Sequence, residues 1–336
     1  MQQNTTYKML KLVILIIFTY GYDIELIKIN LLCNYLSILM GFFSKFPNLN
    51  VIISCFFWGT YWIPLRYIDR NNNSSLWPIF FSFLLISIFL IRPLFRKISK
   101  LNTSFNLFFI LGCVLAAIAI SLYSESLLRG EIAKVVVLFY LCPIWGTIFS
   151  RIFLKQQFSL NRFISLILGL AGLAIIIGLD KGNFFPTTLV EYIALLAGIS
   201  WALSMTFFNL ASPTTAFDKT SLTCLFVPFV FLILAFIPEG RSIKIYDNIF
   251  SIEIIYLWIF LFSLVWLLPS ILLTYFSVEV LDPGRINILL AFEVVVGIFT
   301  AALLTNEIIT IREILGALFV ISSCFTDVLI VKTKKL

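Results

Sequence analysis

Histidine is absent from the 336 residues, which removes the usual imidazole proton shuttle and most zinc sites. The cysteines Cys33, Cys55, Cys113, Cys142, Cys224 and Cys324 show no Cys-x-x-Cys spacing and mostly fall inside apolar runs. They read as packing residues rather than as disulfides or metal ligands. There is no Gly-Lys phosphate loop, no Asp-Asp pair at metal spacing and no cluster of nucleophiles, so no cofactor, no metal and no enzymatic activity are expected. Charge is also scarce: 12% of residues are charged against 61% hydrophobic. A soluble fold of that composition would expose large apolar patches, whereas a polytopic membrane protein keeps them in lipid. The net charge of +7 does not point to nucleic acid, because the basic residues sit in short clusters between apolar runs. They read as topology signals and contacts to membrane lipids.

What is present is a series of apolar runs of about 20 residues, the length that crosses ~30 Å of hydrocarbon as a helix. Ten spans are predicted, at roughly 49–66, 75–92, 105–127, 131–150, 160–179, 189–209, 219–237, 253–276, 284–304 and 311–331. The fold class is therefore an all-α polytopic membrane protein. Residues 1–46 form an N-terminal extension with three readings: an extra membrane helix, an interfacial helix, or a stretch upstream of a start at Met40. Arg92, Arg96, Lys97, Lys100, Arg151, Lys155 and Arg162 crowd the first two loops on one side. That asymmetry puts both termini in the cytoplasm, and the location expected is the plasma (inner) membrane.

Weak internal similarity divides the spans five and five, over residues 47–180 and 188–332. Trp58 in the first span matches Trp201 in the sixth, and Tyr123 in the third matches Tyr275 in the eighth. Pro143 in the fourth matches Glu293 in the ninth, and Phe153 to Gln157 matches Leu303 to Glu307. An odd number of spans per half inserts the second copy upside down. Two inverted five-helix repeats with a site between them are the architecture of secondary transporters.

The segments Phe57-Trp58-Gly59-Thr60-Tyr61-Trp62-Ile63-Pro64-Leu65-Arg66, Asp282-Pro283-Gly284-Arg285, Phe292-Glu293-Val294-Val295-Val296-Gly297 and Leu304-Thr305-Asn306-Glu307 resemble the EamA branch of the drug/metabolite transporter superfamily. The resemblance covers about residues 50–331. It implies ten helices, a central cavity and the export or import of small metabolites, with exporters of aromatic amino acids, threonine and cysteine among the members. The chain departs from the family at Gln156-Gln157, where the first half ordinarily ends in Gly-Glu.

Glu293 is the leading candidate for function. A lone carboxyl in an apolar span is expensive in lipid and is expected to face the interior or an aqueous cavity. There it suits proton coupling or the binding of a substrate amine; the plainer reading is a hydrogen bond that locks neighbouring helices. Trp58, Tyr61 and Trp62 fall at the i, i+3, i+4 spacing of one helical face. They form either an aromatic wall for a substrate or a packing surface, and Pro64 is expected to loosen the helix there. Tyr123, Tyr140, Trp145, Trp201 and Trp266 are further cavity candidates. Arg66, Glu125, Glu131, Lys134 and Arg285 are candidates for gates or charge pairs. Glu131 and Lys134 are expected to neutralise each other, Arg285 to snorkel to headgroups, and Asp327 to reach water. The function expected is secondary active transport of a small metabolite, foremost amino acid efflux, with protons as a candidate coupling ion. Uptake of an organic amine, osmolyte or nucleobase is the alternative.

Overall fold

The structure, a computed structural model, describes residues 46–71, 77–98, 107–130, 132–157, 159–177, 186–211, 214–235, 252–305 and 310–329. The chain divides into two compact units, Met1–Phe46 and Pro47–Leu336. Of the first unit only Phe46 is described, so the three readings of the N-terminal extension fall outside the described residues, as does Glu131.

In the second unit every described regular element is helical. Several helix starts carry their own capping sequence. Thr188 accepts from the Glu191 N–H, while the Glu191 carboxylate accepts from the Thr187 N–H at 2.7 Å. Thr310 and Glu313 exchange the same bonds at the start of Ile311–Leu329. Asp282 caps Pro283–Leu290 by accepting from the Arg285 N–H at 3.0 Å, with Pro283 in the first turn, where no N–H is needed. The fourth span ends at Lys155, whose φ of 52° lies in the left-handed region that glycine ordinarily fills.

The described helices group into ten spans, and four of these are interrupted. The first is Pro47–Gly59 and Trp62–Asn71; the fourth is Ile132–Phe139 and Cys142–Leu154. The eighth is Ile252–Leu261 and Leu268–Val278, joined by a π-helical turn at Phe262–Leu267. The ninth is Pro283–Leu290 and Phe292–Thr305. Proline accounts for three of the four. It has no N–H to give to the carbonyl four residues back and its ring crowds that carbonyl, which puts the disturbance of Pro64 at Thr60, of Pro143 at Phe139 and of Pro269 at Val265. The ninth span breaks at Ala291 without a proline. Its hydrogen bonds nevertheless copy those of the fourth: Leu141 N–H to Leu138 and Ile144 N–H to Leu141 in one, Ala291 N–H to Ile288 and Val294 N–H to Ala291 in the other.

The packing has the same symmetry. The third span lies against the sixth, and the eighth against the first; the fourth lies against the sixth, and the ninth against the first. The second and seventh spans pack on each other, as do the fifth and tenth. Exchanging the two halves converts each contact into its partner, as two inverted repeats require.

Polarity is distributed for lipid. Leu160, Ile233, Leu303, Ile311 and Phe325 are exposed, whereas Asn50, Ser82, Ser121, Ser204, Thr220 and Asn287 are buried. Many interior hydroxyls bond a carbonyl one turn back, as Ser124 does to Ile120 at 2.7 Å and Thr274 to Ser270 at 2.8 Å, so they need no water. Among the described residues seven helices are long and apolar enough to cross a membrane, and Ile79–Leu90 and Leu160–Ile176 are shorter apolar helices. The five described cysteines are buried and free.

The fifth and tenth spans meet at glycines: a Cβ on Gly316 would lie 2.6 Å from the Gly172 carbonyl oxygen, and one on Gly172 would lie 2.7 Å from that of Gly316. Gly297 has nothing nearer than 3.7 Å. Gly316→Val is expected to force the two helices apart at a cost of about 1–3 kcal/mol, read as a lower unfolding temperature in detergent. Gly297→Ala should leave that temperature unchanged or raise it.

Candidate functional site

The interruptions of the fourth and ninth spans face each other, and the cavity forms between them. Trp58, Ala119, Ile120, Tyr123, Phe139, Tyr140, Trp201, Leu290 and Glu293 line it. They come from the first, third, fourth, sixth and ninth spans. Its volume is about 20 Å³, room for a water molecule and too little for a metabolite unless the halves part.

Glu293 stands in the first turn of Phe292–Thr305, where the partial positive charge of a helix N-terminus favours an anion. It is 6% exposed. Tyr123 donates to Oε1 at 3.2 Å and Tyr140 donates to Oε2. The two hydroxyls therefore supply the donors that a carboxylate loses on leaving water. Because Tyr140 matches Leu290 and Glu293 matches Pro143, each half contributes one member of the Tyr140–Glu293 bond and an apolar residue in its place opposite.

Small residues permit the close approach of the walls. A Cβ on Gly198 in the sixth span would come within 2.5 Å of the Phe139 carbonyl oxygen. In the matching place of the first span, Cys55 donates its thiol to the Leu289 carbonyl at 3.5 Å. The two breaks are thus covered by equivalent positions of equivalent helices. Gly59 closes the remaining side, since a Cβ there would lie 2.8 Å from the Glu293 carbonyl oxygen.

The aromatic residues divide into two groups. Trp58, Tyr123, Tyr140 and Trp201 reach the cavity together with Glu293. Trp58 and Trp201 meet edge to face at 6.1 Å, and Tyr123 stacks on Phe139 at 4.3 Å. Tyr61 is buried one shell behind, 5.6 Å from Trp58, with its hydroxyl 2.7 Å from Ser124. Trp62 does not join this wall: the helix is interrupted between Trp58 and Trp62, and Trp62 donates to Thr300 on the ninth span at 3.4 Å. Trp266 donates to Thr60 at 3.1 Å, and Trp145 is half-buried; neither lines the cavity. The ring geometry of Phe139 and the backing role of Thr274, which accepts from Trp58 at 3.4 Å, carry no sequence signal beyond their place in the repeat.

Charged residues are paired at both ends. Lys134 opens the fourth span and pairs with Glu191 at the start of the sixth at 2.8 Å. Arg66 donates to the Leu127 carbonyl at 3.2 Å, near the end of the third span, and Glu125 pairs with Arg129 one turn on. At the opposite end, Arg162 of the fifth span pairs with Asp282 at 2.8 Å. Two expectations are corrected here. Arg285 does not snorkel and Asp327 does not reach water: both are buried, with Arg285 Nε 3.6 Å and Arg162 Nε 3.9 Å from the Asp327 carboxylate. The reason is the crossing of the ninth and tenth spans over the start of the fifth, which turns the three side chains toward one another. Lys134–Glu191 and Arg162–Asp282 each join one half to the other, at opposite ends of the cavity.

Removing the shared carboxylate leaves buried guanidinium charge uncompensated. Asp327→Asn is expected to lower stability by on the order of 3 kcal/mol, measured as a fall in unfolding temperature in detergent, with Arg285→Gln partly restoring it in the double variant.

Comparison with known proteins agrees with this architecture. The sequence matches the EamA-like transporter family over residues 45–178 and 188–327. It is 24% identical over 291 residues to an uncharacterized transporter, YoaV, of Bacillus subtilis (strain 168), across 83% of this chain and 95% of that protein. A solved crystal structure shares the fold with a TM-score of 0.63 at 12% identity, over 85% of this chain and 99% of the other. With both halves matched and the inverted packing that such carriers use, the chain belongs to the EamA-like transporter family, membrane transporters of small molecules.

Proposed function

We propose that the protein is a secondary transporter that exports a small amine-bearing metabolite, an amino acid or a related compound, across the plasma membrane by alternating access. The observation that carries this reading is Glu293: a carboxylate at the centre of two inverted repeats, held by Tyr123 and Tyr140 and facing a cavity otherwise lined by aromatic and aliphatic groups. A carboxylate has about four lone-pair sites, so two remain after the tyrosines are served. An ammonium group or a proton can neutralise the charge there, and the aromatic faces add cation–π attraction.

The inter-half ion pairs at the two ends support alternating access. The substrate enters from one side after Lys134–Glu191 separates, and from the other after Arg162–Asp282 separates. Each pair that remains closed seals the cavity while the opposite one opens. Glycine and proline at the interrupted spans provide the places where the halves pivot.

Counterflow in proteoliposomes loaded with a panel of amino acids and related amines tests the reading, comparing the wild type with Glu293→Gln at two pH values. Wild-type exchange should change with pH, and the variant should lose most of the exchange and all of its pH response. Exchange by Glu293→Gln at the wild-type rate with the same pH response would remove Glu293 from the mechanism.

A further inference from the structure

The two halves are not equivalent at their tryptophans. Trp58 and Trp201 occupy matching positions and both line the cavity. The indole N–H of Trp58 is spent on Thr274, the residue before Tyr275 in the eighth span. The residue in the corresponding place, before Tyr123 in the third span, is Leu122, which offers no acceptor. The indole N–H of Trp201 accordingly has no partner among the described residues, although Trp201 is 3% exposed. An unpaired buried donor has a cost, and here it stands in the wall of the cavity.

The rest of the donor inventory is committed. Tyr123 and Tyr140 donate to Glu293, and Trp58 donates to Thr274. No Arg or Lys is among the lining residues. A substrate carboxylate would meet the like charge of Glu293, the negative faces of aromatic rings and a single neutral donor, which is poor compensation for its hydration. An ammonium group meets the opposite.

We propose that Glu293 and Trp201 form a two-point site for an organic amine that carries a neutral hydrogen-bond acceptor and no free carboxylate. The ammonium lies at Glu293 and the acceptor, such as a carbonyl or hydroxyl oxygen, takes the indole N–H of Trp201. This rests on the transporter reading above and narrows its substrate from amino acids to their uncharged-carboxyl relatives.

Three probes of one skeleton separate the two points: phenylalanine, phenylalaninamide and phenethylamine, each tested for counterflow in proteoliposomes and for thermal stabilisation of the detergent-purified full chain. The amide should exceed the amine by about threefold to tenfold, the worth of one hydrogen bond, and the free acid by about tenfold or more. Leu122→Thr gives Trp201 the acceptor that Thr274 gives Trp58, and leaves the ring and Glu293 in place. It should retain phenethylamine exchange and lose the preference for the amide. Phenylalanine equal to or better than the amide overturns the proposal while leaving the transporter reading intact, as does an amide preference that survives Leu122→Thr. Failure of all three probes to exchange or stabilise would overturn both.

Discussion

Inside a lipid-embedded bundle, polar groups must find partners within the protein, and this requirement shapes the centre of the molecule. The carbonyls released at the interrupted spans, the carboxylate of Glu293 and the indole groups of the aromatic wall all face it at once. Leu289 is met by the thiol of Cys55, Glu293 by two tyrosines and Trp58 by Thr274. The Phe139 carbonyl instead lies against Gly198, where the absence of a side chain allows the sixth span to come close. The cavity is what remains where these demands, all but that of the Trp201 indole N–H, are satisfied from its walls.

Inverted symmetry explains why the demands can be met so nearly twice. One pattern of hydrogen bonds to the carbonyl three residues back serves the fourth and ninth spans, and one helix pairing serves each half. The departures from symmetry are where chemistry enters. Pro143 faces Glu293 across the pseudo-twofold relation, Tyr140 faces Leu290, and Leu122 stands where symmetry with Thr274 would place a hydroxyl. A perfectly symmetric pair of repeats would hold either two carboxylates or none. The asymmetric pair holds one, together with two donors from the opposite half.

The ends of the molecule follow a different rule. There, charged residues near water and headgroups can be paired across halves with geometry that tolerates separation. Lys134–Glu191 is partly exposed, as is Arg162–Asp282, whereas Arg285 and Asp327 are deeply buried. The partly exposed pairs cost less to open than the buried one, and the Arg285–Asp327 contact, which lies within the second half, joins the ninth and tenth spans.

The sequence by itself determined the class, the ten helical spans, the repeat and the burial of Glu293. Hydropathy over about 20 residues is a strong local signal in lipid, Pro64 announces the interruption of the first span, and a lone carboxyl in an apolar run has few places to be. Tertiary structure alone decided the rest. Nothing local to Ala291 predicts the break of the ninth span, against which Cys55 and Gly59 pack. Helical spacing grouped Trp62 with Trp58, but the interruption between them sends Trp62 to Thr300. Arg285 and Asp327 each look like boundary residues when read along the chain. They become buried together because the consecutive ninth and tenth spans cross the start of the distant fifth span there, bringing Arg162 to the same carboxylate, and the partner of a charge depends on that crossing rather than on its neighbours in the chain.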